Sequence, residues 1–227
     1  TLTSDHSSGD SFEVGTTIVT YTATDSSGNS SSLTFSVTVN DTENPSISSI
    51  PANLTLSTEP GNCSAVANWS EPVGSDNCTT VGVSSDYNSG DSFPLGTTTV
   101  TYTVLDDSGN SAIRTFSVTD VDTEDPVILG LPADMILDND PGNCNAVATW
   151  VEPSVTDNCA GAILNGDYSS GATFPLGTTT VIYIAVDNSG NMEMNTFTVT
   201  VNDVEAPLIS GLPDLLVIDN EPGLCSA

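Results

Sequence analysis

One stretch occurs three times at a fixed offset, and that period limits what this chain can become. Gly15 begins GTTIVTYTATDSSGN, Gly96 begins GTTTVTYTVLDDSGN and Gly177 begins GTTTVIYIAVDNSGN, each 81 residues after the last. Other landmarks keep the same register: Phe12, Phe93 and Phe174; Pro45, Pro126 and Pro207; Cys63, Cys144 and Cys225; Trp69 and Trp150. An internal period decides architecture before any local reading does. At this length the unit is too long for a solenoid turn and suits a small domain with its own core.

Within the repeated stretch, Thr98, Val100, Tyr102 and Val104 alternate with Thr97, Thr99, Thr101 and Thr103. That is the side-chain period of a strand, built from β-branched and aromatic residues that suit a pleated surface. Asp107-Ser108-Gly109-Asn110 supplies turn chemistry, and residues 115–119 alternate again, so the segment reads as a hairpin. Further strands are expected at 46–50, 53–57, 63–69 and 81–85, with Gly and Pro turns between them and no helical pattern. The chain is therefore expected to be all-β, a tandem row of small β-sandwich domains with about seven strands each. Ile47, Leu54, Trp69, Phe93, Val100, Tyr102, Phe116 and Val118 form the expected core.

Cutting at the proline-bearing junctions gives a partial repeat 1–43, complete repeats 44–124 and 125–205, and a partial repeat 206–227. Residues 1–43 correspond to 82–124, and 206–227 to 44–65. Together the two partial repeats lack only the counterparts of 66–81. Either the sequence is a window on a longer array, or the tail of one copy completes the head of another. The missing stretch carries a tryptophan-bearing strand and a cysteine, which favours the window.

Charge narrows the function. The 227 residues include 30 acidic side chains, a single arginine (Arg114) and no lysine. Nucleic acid and anionic membrane surfaces need the opposite sign. No apolar run of about 20 residues is present to insert into a bilayer. Acidic surfaces keep such beads soluble, discourage edge-to-edge strand pairing and attract divalent cations.

Cys63 and Cys78 share their spacing with Cys144 and Cys159, so local pairs Cys63–Cys78 and Cys144–Cys159 are expected, with Cys225 lacking a partner in this window. Closing such a loop contributes about 3 kcal/mol and implies an oxidising compartment.

These residues resemble a known family. Phe-Pro-Leu-Gly-Thr-Thr-Thr-Val at 93–100 and 174–181, the Asp-x-Ser-Gly-Asn turn, Asp-Asn-Cys at 76–78 and 157–159, and the Glu-Asp/Ala-Pro junction are similar to the hyalin repeat. The resemblance implies an immunoglobulin-like sandwich of extracellular matrix and bacterial surface proteins, with a structural or adhesive role and no catalytic residues.

The residues themselves offer little chemistry. His6 is the only histidine, there is no lysine for a Schiff base or isopeptide, and neither a Gly-x-Ser-x-Gly elbow nor a phosphate loop occurs. An enzyme is not expected. Calcium is the candidate ion, since it takes six to eight oxygens. Its candidate ligands are Asp41, Glu43, Asp122, Glu124, Asp203 and Glu205 at the junctions and Asp106 and Asp187 at the hairpin turns; the competing reading is turn capping and solvated charge. Sequons at Asn29, Asn40, Asn53, Asn62, Asn68 and Asn77 are candidate sites for covalent glycans, with Asn40 and Asn53 preferred. The expected partners are neighbouring repeats of the same chain and lateral copies of it. The expected location is extracellular, as a fibre or stalk. An adhesion module for a glycan or receptor, or the spacer of a large secreted enzyme, is the alternative.

Overall fold

The computed structural model describes residues 1–78, 80–212 and 214–226, and is all β, with no helix among them. The chain divides into two compact units, Thr1–Glu124 and Asp125–Ala227.

In the first unit, β1 (Leu2–Ser4), β2 (Gly15–Thr24) and β3 (Ser30–Val39) form a three-stranded sheet in that order. Eight strands follow: β4 (Ser46–Ser48), β5 (Leu54–Ser57), β6 (Ser64–Val66), β7 (Val73–Ser75), β8 (Gly82–Ser85), β9 (Ser92–Pro94), β10 (Gly96–Leu105) and β11 (Ser111–Val121). A four-stranded sheet runs β5-β11-β10-β8, with β5 parallel to β11, and two short ribbons, β4-β7 and β6-β9, complete the repeat.

The long hairpin organises this sandwich. Val100 faces Phe116 and Thr98 faces Val118 across it, which puts the alternating apolar side chains of both strands on one face. Val100, Tyr102, Phe116 and Val118 are buried there with Phe93 from β9 and Ala67, and Ile47, Ile50, Leu54, Leu56, Trp69 and Tyr87 pack against them. Each fully buried side chain of this size contributes about 1.5–3 kcal/mol. All eight residues of the expected core thus take part.

Several strands differ from the sequence reading. β11 is longer than 115–119. β4 stops at Ser48 because Ser49 takes φ 60, a left-handed conformation occupied by Gly130 and Gly211 at the corresponding positions. The strand expected at 63–69 is only Ser64–Val66: beyond it the Ala67 N–H donates to Asp91 O and the Trp69 N–H to Ser89 Oγ. β7 and β9 went unforeseen, since three residues are too few to show alternation.

The second unit repeats the pattern with β12 (Val127–Leu129), β13 (Met135–Asp138), β14 (Asn145–Val147), β15 (Ser154–Thr156), β16 (Ile163–Gly166), β17 (Thr173–Pro175), β18 (Gly177–Val186) and β19 (Met192–Asn202). Its sheet runs β13-β19-β18-β16, with ribbons β12-β15 and β14-β17. Phe174, Val181, Tyr183, Phe197 and Val199 centre its core. Among the described residues beyond β19, none lies in a strand.

Candidate functional site at the repeat junctions

Two kinds of acidic residue were candidates for a cation, and the fold places them differently. The turn aspartates cap their own hairpins. Asp106 Oδ1 accepts the N–H groups of Ser108 (2.9 Å) and Asn110 (2.8 Å), and its Oδ2 accepts from Asn110 Nδ2 (2.8 Å). Asp187 does the same with Ser189, Gly190 and Asn191. Gly109 takes φ 92 to close the first of these turns. Burial of Asp106 and Asp187 opposes ionisation, but hydrogen bonds from the Asn side chains and turn amides outweigh it and hold both below the ordinary value.

The junction carboxylates sit where the chain leaves a long hairpin. In the motif Asp-x-Glu, the Asp caps the turn: Asp41 Oδ1 accepts the Glu43 N–H (3.1 Å), Asp122 Oδ1 that of Glu124 (3.2 Å) and Asp203 Oδ1 that of Glu205 (3.1 Å). The Glu then reaches back to the Pro-Gly turn of its own repeat. Glu124 Oε2 accepts the Gly61 N–H at 2.9 Å, and Glu205 Oε2 the Gly142 N–H at 2.8 Å. Thr58 Oγ1 adds a bond to Asp122 at 3.4 Å. On the other side of a junction, Asn110 Nδ2 donates to Asp41 O at 3.3 Å, which ties residues 1–43 to the hairpin turn of 44–124.

These contacts give each repeat a leading and a trailing end, and correct the disulfide pairing. Cys63 and Cys159 are disulfide-bonded, whereas Cys78, Cys144 and Cys225 carry free thiols. The local pairs Cys63–Cys78 and Cys144–Cys159 are therefore not formed. Cys63 follows the turn tied to Glu124 at the trailing end. Cys78 lies beside Asp41 at the leading end. The length of β11 separates the two ends, about 30 Å at the usual rise, far beyond the about 4.4–6.8 Å Cα separation a disulfide spans. The second unit has the same layout: Cys144 follows the turn tied to Glu205, while Ala160, next to Cys159, accepts a bond from Asn188 in the opposite hairpin turn. Equal spacing showed that the cysteines repeat and could not show which ends they occupy.

Asp41, Asp76 and Cys78 place one ligand atom each within 4.8 Å of one another. Asp76 Oδ2 also accepts the Cys78 N–H at 2.9 Å. Desolvation, the charges of Asp41 and Asp76, and a hydrogen bond with Asp41 push the Cys78 thiol above its ordinary value. One sulfur and two carboxylates fall short of the oxygen shell calcium takes, and sulfur is a soft donor. The turn aspartates accept hydrogen bonds from their own turns on both oxygens.

Sequence reasoning missed a polar relay in each core. Trp69 Nε1 donates to the Tyr102 hydroxyl (2.7 Å), which donates to Glu71 Oε2, while Glu71 Oε1 accepts the Ser89 N–H (3.3 Å). Trp150, Tyr183, Glu152 and Ser170 repeat it. The signal available was Trp-x-Glu in both repeats. Asp120, which by sequence belongs with the junction carboxylates that could hold a cation, is instead buried: it is 2 % exposed, and neither carboxylate oxygen has a hydrogen-bond partner. The candidate glycan asparagines Asn29, Asn40, Asn53, Asn68 and Asn77 are all exposed, and Asn53 Oδ1 accepts the Ser117 N–H at 2.9 Å. No helix among the described residues is long and apolar enough to cross a membrane.

Residues 1–39, 40–119 and 121–201 each match the HYR domain. Hyalin of Strongylocentrotus purpuratus is 38% identical over 205 residues, covering 87% of this chain and 17% of that protein. Hyalin of Lytechinus variegatus is 38% identical over 211 residues, covering 89% of this chain and 40% of that protein. The chain thus spans less than half the length of either relative. Among solved structures, a protocadherin gammaB7 EC3-6 cis-dimer aligns over 83% of this chain and 58% of that chain, with a TM-score of 0.36 at 14% identity.

Proposed function

Because the chain belongs to the HYR domain family, we propose that it is a structural tandem module of an extracellular or cell-surface fibre or stalk, dressed with glycans. The observation that carries this reading is the junction. Glu124 and Glu205 fasten the exit of each complete repeat to its own Pro-Gly turn, and Asn110 fastens the preceding linker to the next hairpin. Short connections held by such bonds restrict swinging between beads and let serial order carry load. A structural role needs no catalytic group. His6, the only histidine, packs on Phe12 in a tilted arrangement with ring centroids 5.0 Å apart and lies 3.8 Å from Asp10.

The partners in this reading are the neighbouring repeats of the same chain, with lateral copies secondary. Glycans on exposed asparagines, Asn40 and Asn53 first, would cover the acidic sheet edges together with the charge. Immunolabelling of intact cells, combined with intact mass before and after enzymatic deglycosylation, tests the proposal. Labelling without permeabilisation and a mass above the bare polypeptide support it. Signal confined to permeabilised cells overturns the location, and a mass equal to the polypeptide overturns the glycans.

A further inference from the structure

In the second unit, the outer face of the β16, β18 and β19 sheet is apolar beside the turn that joins β18 to β19. Residues of β18 alternate across the sheet: Val181, Tyr183 and Ala185 are buried in the core, so Ile182, Ile184 and Val186 lie on the other face. The ladder sets Val186 opposite Met192 and Ile184 opposite Met194 on β19, and Ile163 of β16 opposite Val186. Opposed side chains stand about 4.5–5.5 Å apart, so these six residues form one continuous patch. Ile163 is 59%, Met192 62%, Met194 62% and Ile184 38% exposed.

The internal repeat shows that the fold does not require this patch. The positions of Ile182, Ile184, Val186, Met192 and Met194 are held in residues 1–43 by Thr20, Thr22, Thr24, Ser30 and Ser32. In residues 44–124 they are Thr101, Thr103, Leu105, Ser111 and Ile113. Hydroxyls suit the face: Thr22 Oγ1 lies 2.9 Å from Ser32 Oγ across the first hairpin. Away from the turn the second unit keeps that pattern, with Thr178 Oγ1 2.9 Å from Thr200 Oγ1. Only the end beside the turn has exchanged hydroxyls for isoleucine, valine and methionine. A contiguous apolar patch exposed on a soluble face marks an interaction surface, and methionine, flexible and polarisable, is favoured on such surfaces.

Charge selects the occupant. Residues 125–205 hold no lysine, arginine or histidine. The exposed Asp167 stands at the rim of the patch, its Oδ1 accepting the Ile182 N–H at 2.8 Å. A second copy of the chain would bring the same acids to that rim, with one arginine and one histidine in 227 residues to answer them. We propose that this face docks a different protein, through a segment with an apolar centre and a rim of lysine or arginine. Ile184 and Met194 take the middle of the contact, where water is excluded, and Asp167 meets a cation at its edge. The opposite charges speed encounter and are screened by salt, whereas the apolar contact holds the complex together.

The probe is a short fluorescent peptide of alternating leucine and lysine, titrated by anisotropy into the 227-residue protein at low and high salt. Two control peptides replace its leucines by serine or its lysines by glutamate. The protein variant combines Ile184→Thr, Met192→Ser and Met194→Ser, the residues that 1–43 carries at these positions, and circular dichroism checks that the fold is kept. The leucine–lysine peptide should bind, more weakly in high salt, and both control peptides and the triple variant should each lose about tenfold or more in affinity. Ile113→Ser, on the corresponding face of the first unit, should leave the affinity unchanged. Equal binding by the triple variant, or by the serine–lysine peptide, overturns the proposal. Self-association of the protein alone that the triple variant abolishes would assign the face to a second copy and overturn it too. Binding to neutral phosphatidylcholine vesicles that the triple variant abolishes would overturn it in favour of lipid.

Discussion

The indole N–H of Trp69 lies 2.7 Å from the Tyr102 hydroxyl, and Trp150 meets Tyr183 in the same way at 2.9 Å. Each hydroxyl passes its own proton toward a glutamate, Glu71 or Glu152, that is anchored in turn by a serine amide. A ring buried against Phe116 or Phe197 is thus tied to the surface through a chain of satisfied donors.

Replacing Tyr102 by Phe keeps the buried ring and leaves the Trp69 N–H without its acceptor. The expected cost is about 1–3 kcal/mol. Urea unfolding followed by the fluorescence of Trp69 checks it, in a Trp150→Phe background that isolates the first unit. The paired change Tyr102→Phe with Trp69→Phe, which leaves no tryptophan and is followed by far-ultraviolet circular dichroism, should recover part of the loss, because it removes the unsatisfied donor.

Asp120 occupies a buried position that Val39 and Val201 hold in the other repeats. Burial, with Asp122 and Glu59 nearby, raises its pKa above the ordinary 3.8. Below 3.8 the carboxyl is neutral in both folded and unfolded chains. As pH rises from there through the raised folded value, the unfolded chain ionises first and folded stability falls. Asp120→Val is therefore expected to stabilise the first unit by about 1–3 kcal/mol at pH 7, with a smaller gain near pH 3.5. Thermal unfolding at the two pH values decides it; a gain independent of pH would mean that charge is not the cause.

The thiols give a third expectation. Alkylation of the folded, unreduced protein should modify Cys78, Cys144 and Cys225 and spare Cys63 and Cys159, read by peptide mass mapping. Cys78 should react more slowly than free cysteine near pH 8, because Asp41, Asp76 and desolvation hold its thiol protonated. Protection of Cys78 together with Cys63 would restore the local pair.

Much of this was legible in the sequence for a physical reason. The hairpin Val100–Phe116 follows from alternation over long strands, and period 2 is hard to imitate over ten residues. Asp106 and Asp187 as turn caps follow from Asp-x-Ser-Gly-Asn, where side chain and amides lie within a few residues. β7 and β9 were not legible, because a ribbon of three residues is fixed by what packs on it. The pairing of Cys63 was misread for a related reason. Sequence distance to Cys78 is short, but the chain crosses the sandwich between them, and only the three-dimensional ends of β11 reveal that. Asp120 read as one of the junction acids, although its place two residues after Val118 and four after Phe116 in the alternation marks it as inward-facing.

The central claim is that the chain works as a serial array of independently folded, load-bearing repeats. Single-molecule pulling on the full-length native protein in reducing buffer tests it most directly. Each repeat of 81 residues has an extended length of roughly 270–290 Å, so unfolding should give successive force peaks spaced by that length less the folded span. Equal, repeating peaks are the predicted result. A smooth extension without peaks, or one cooperative rupture with no repeating step, would contradict the account.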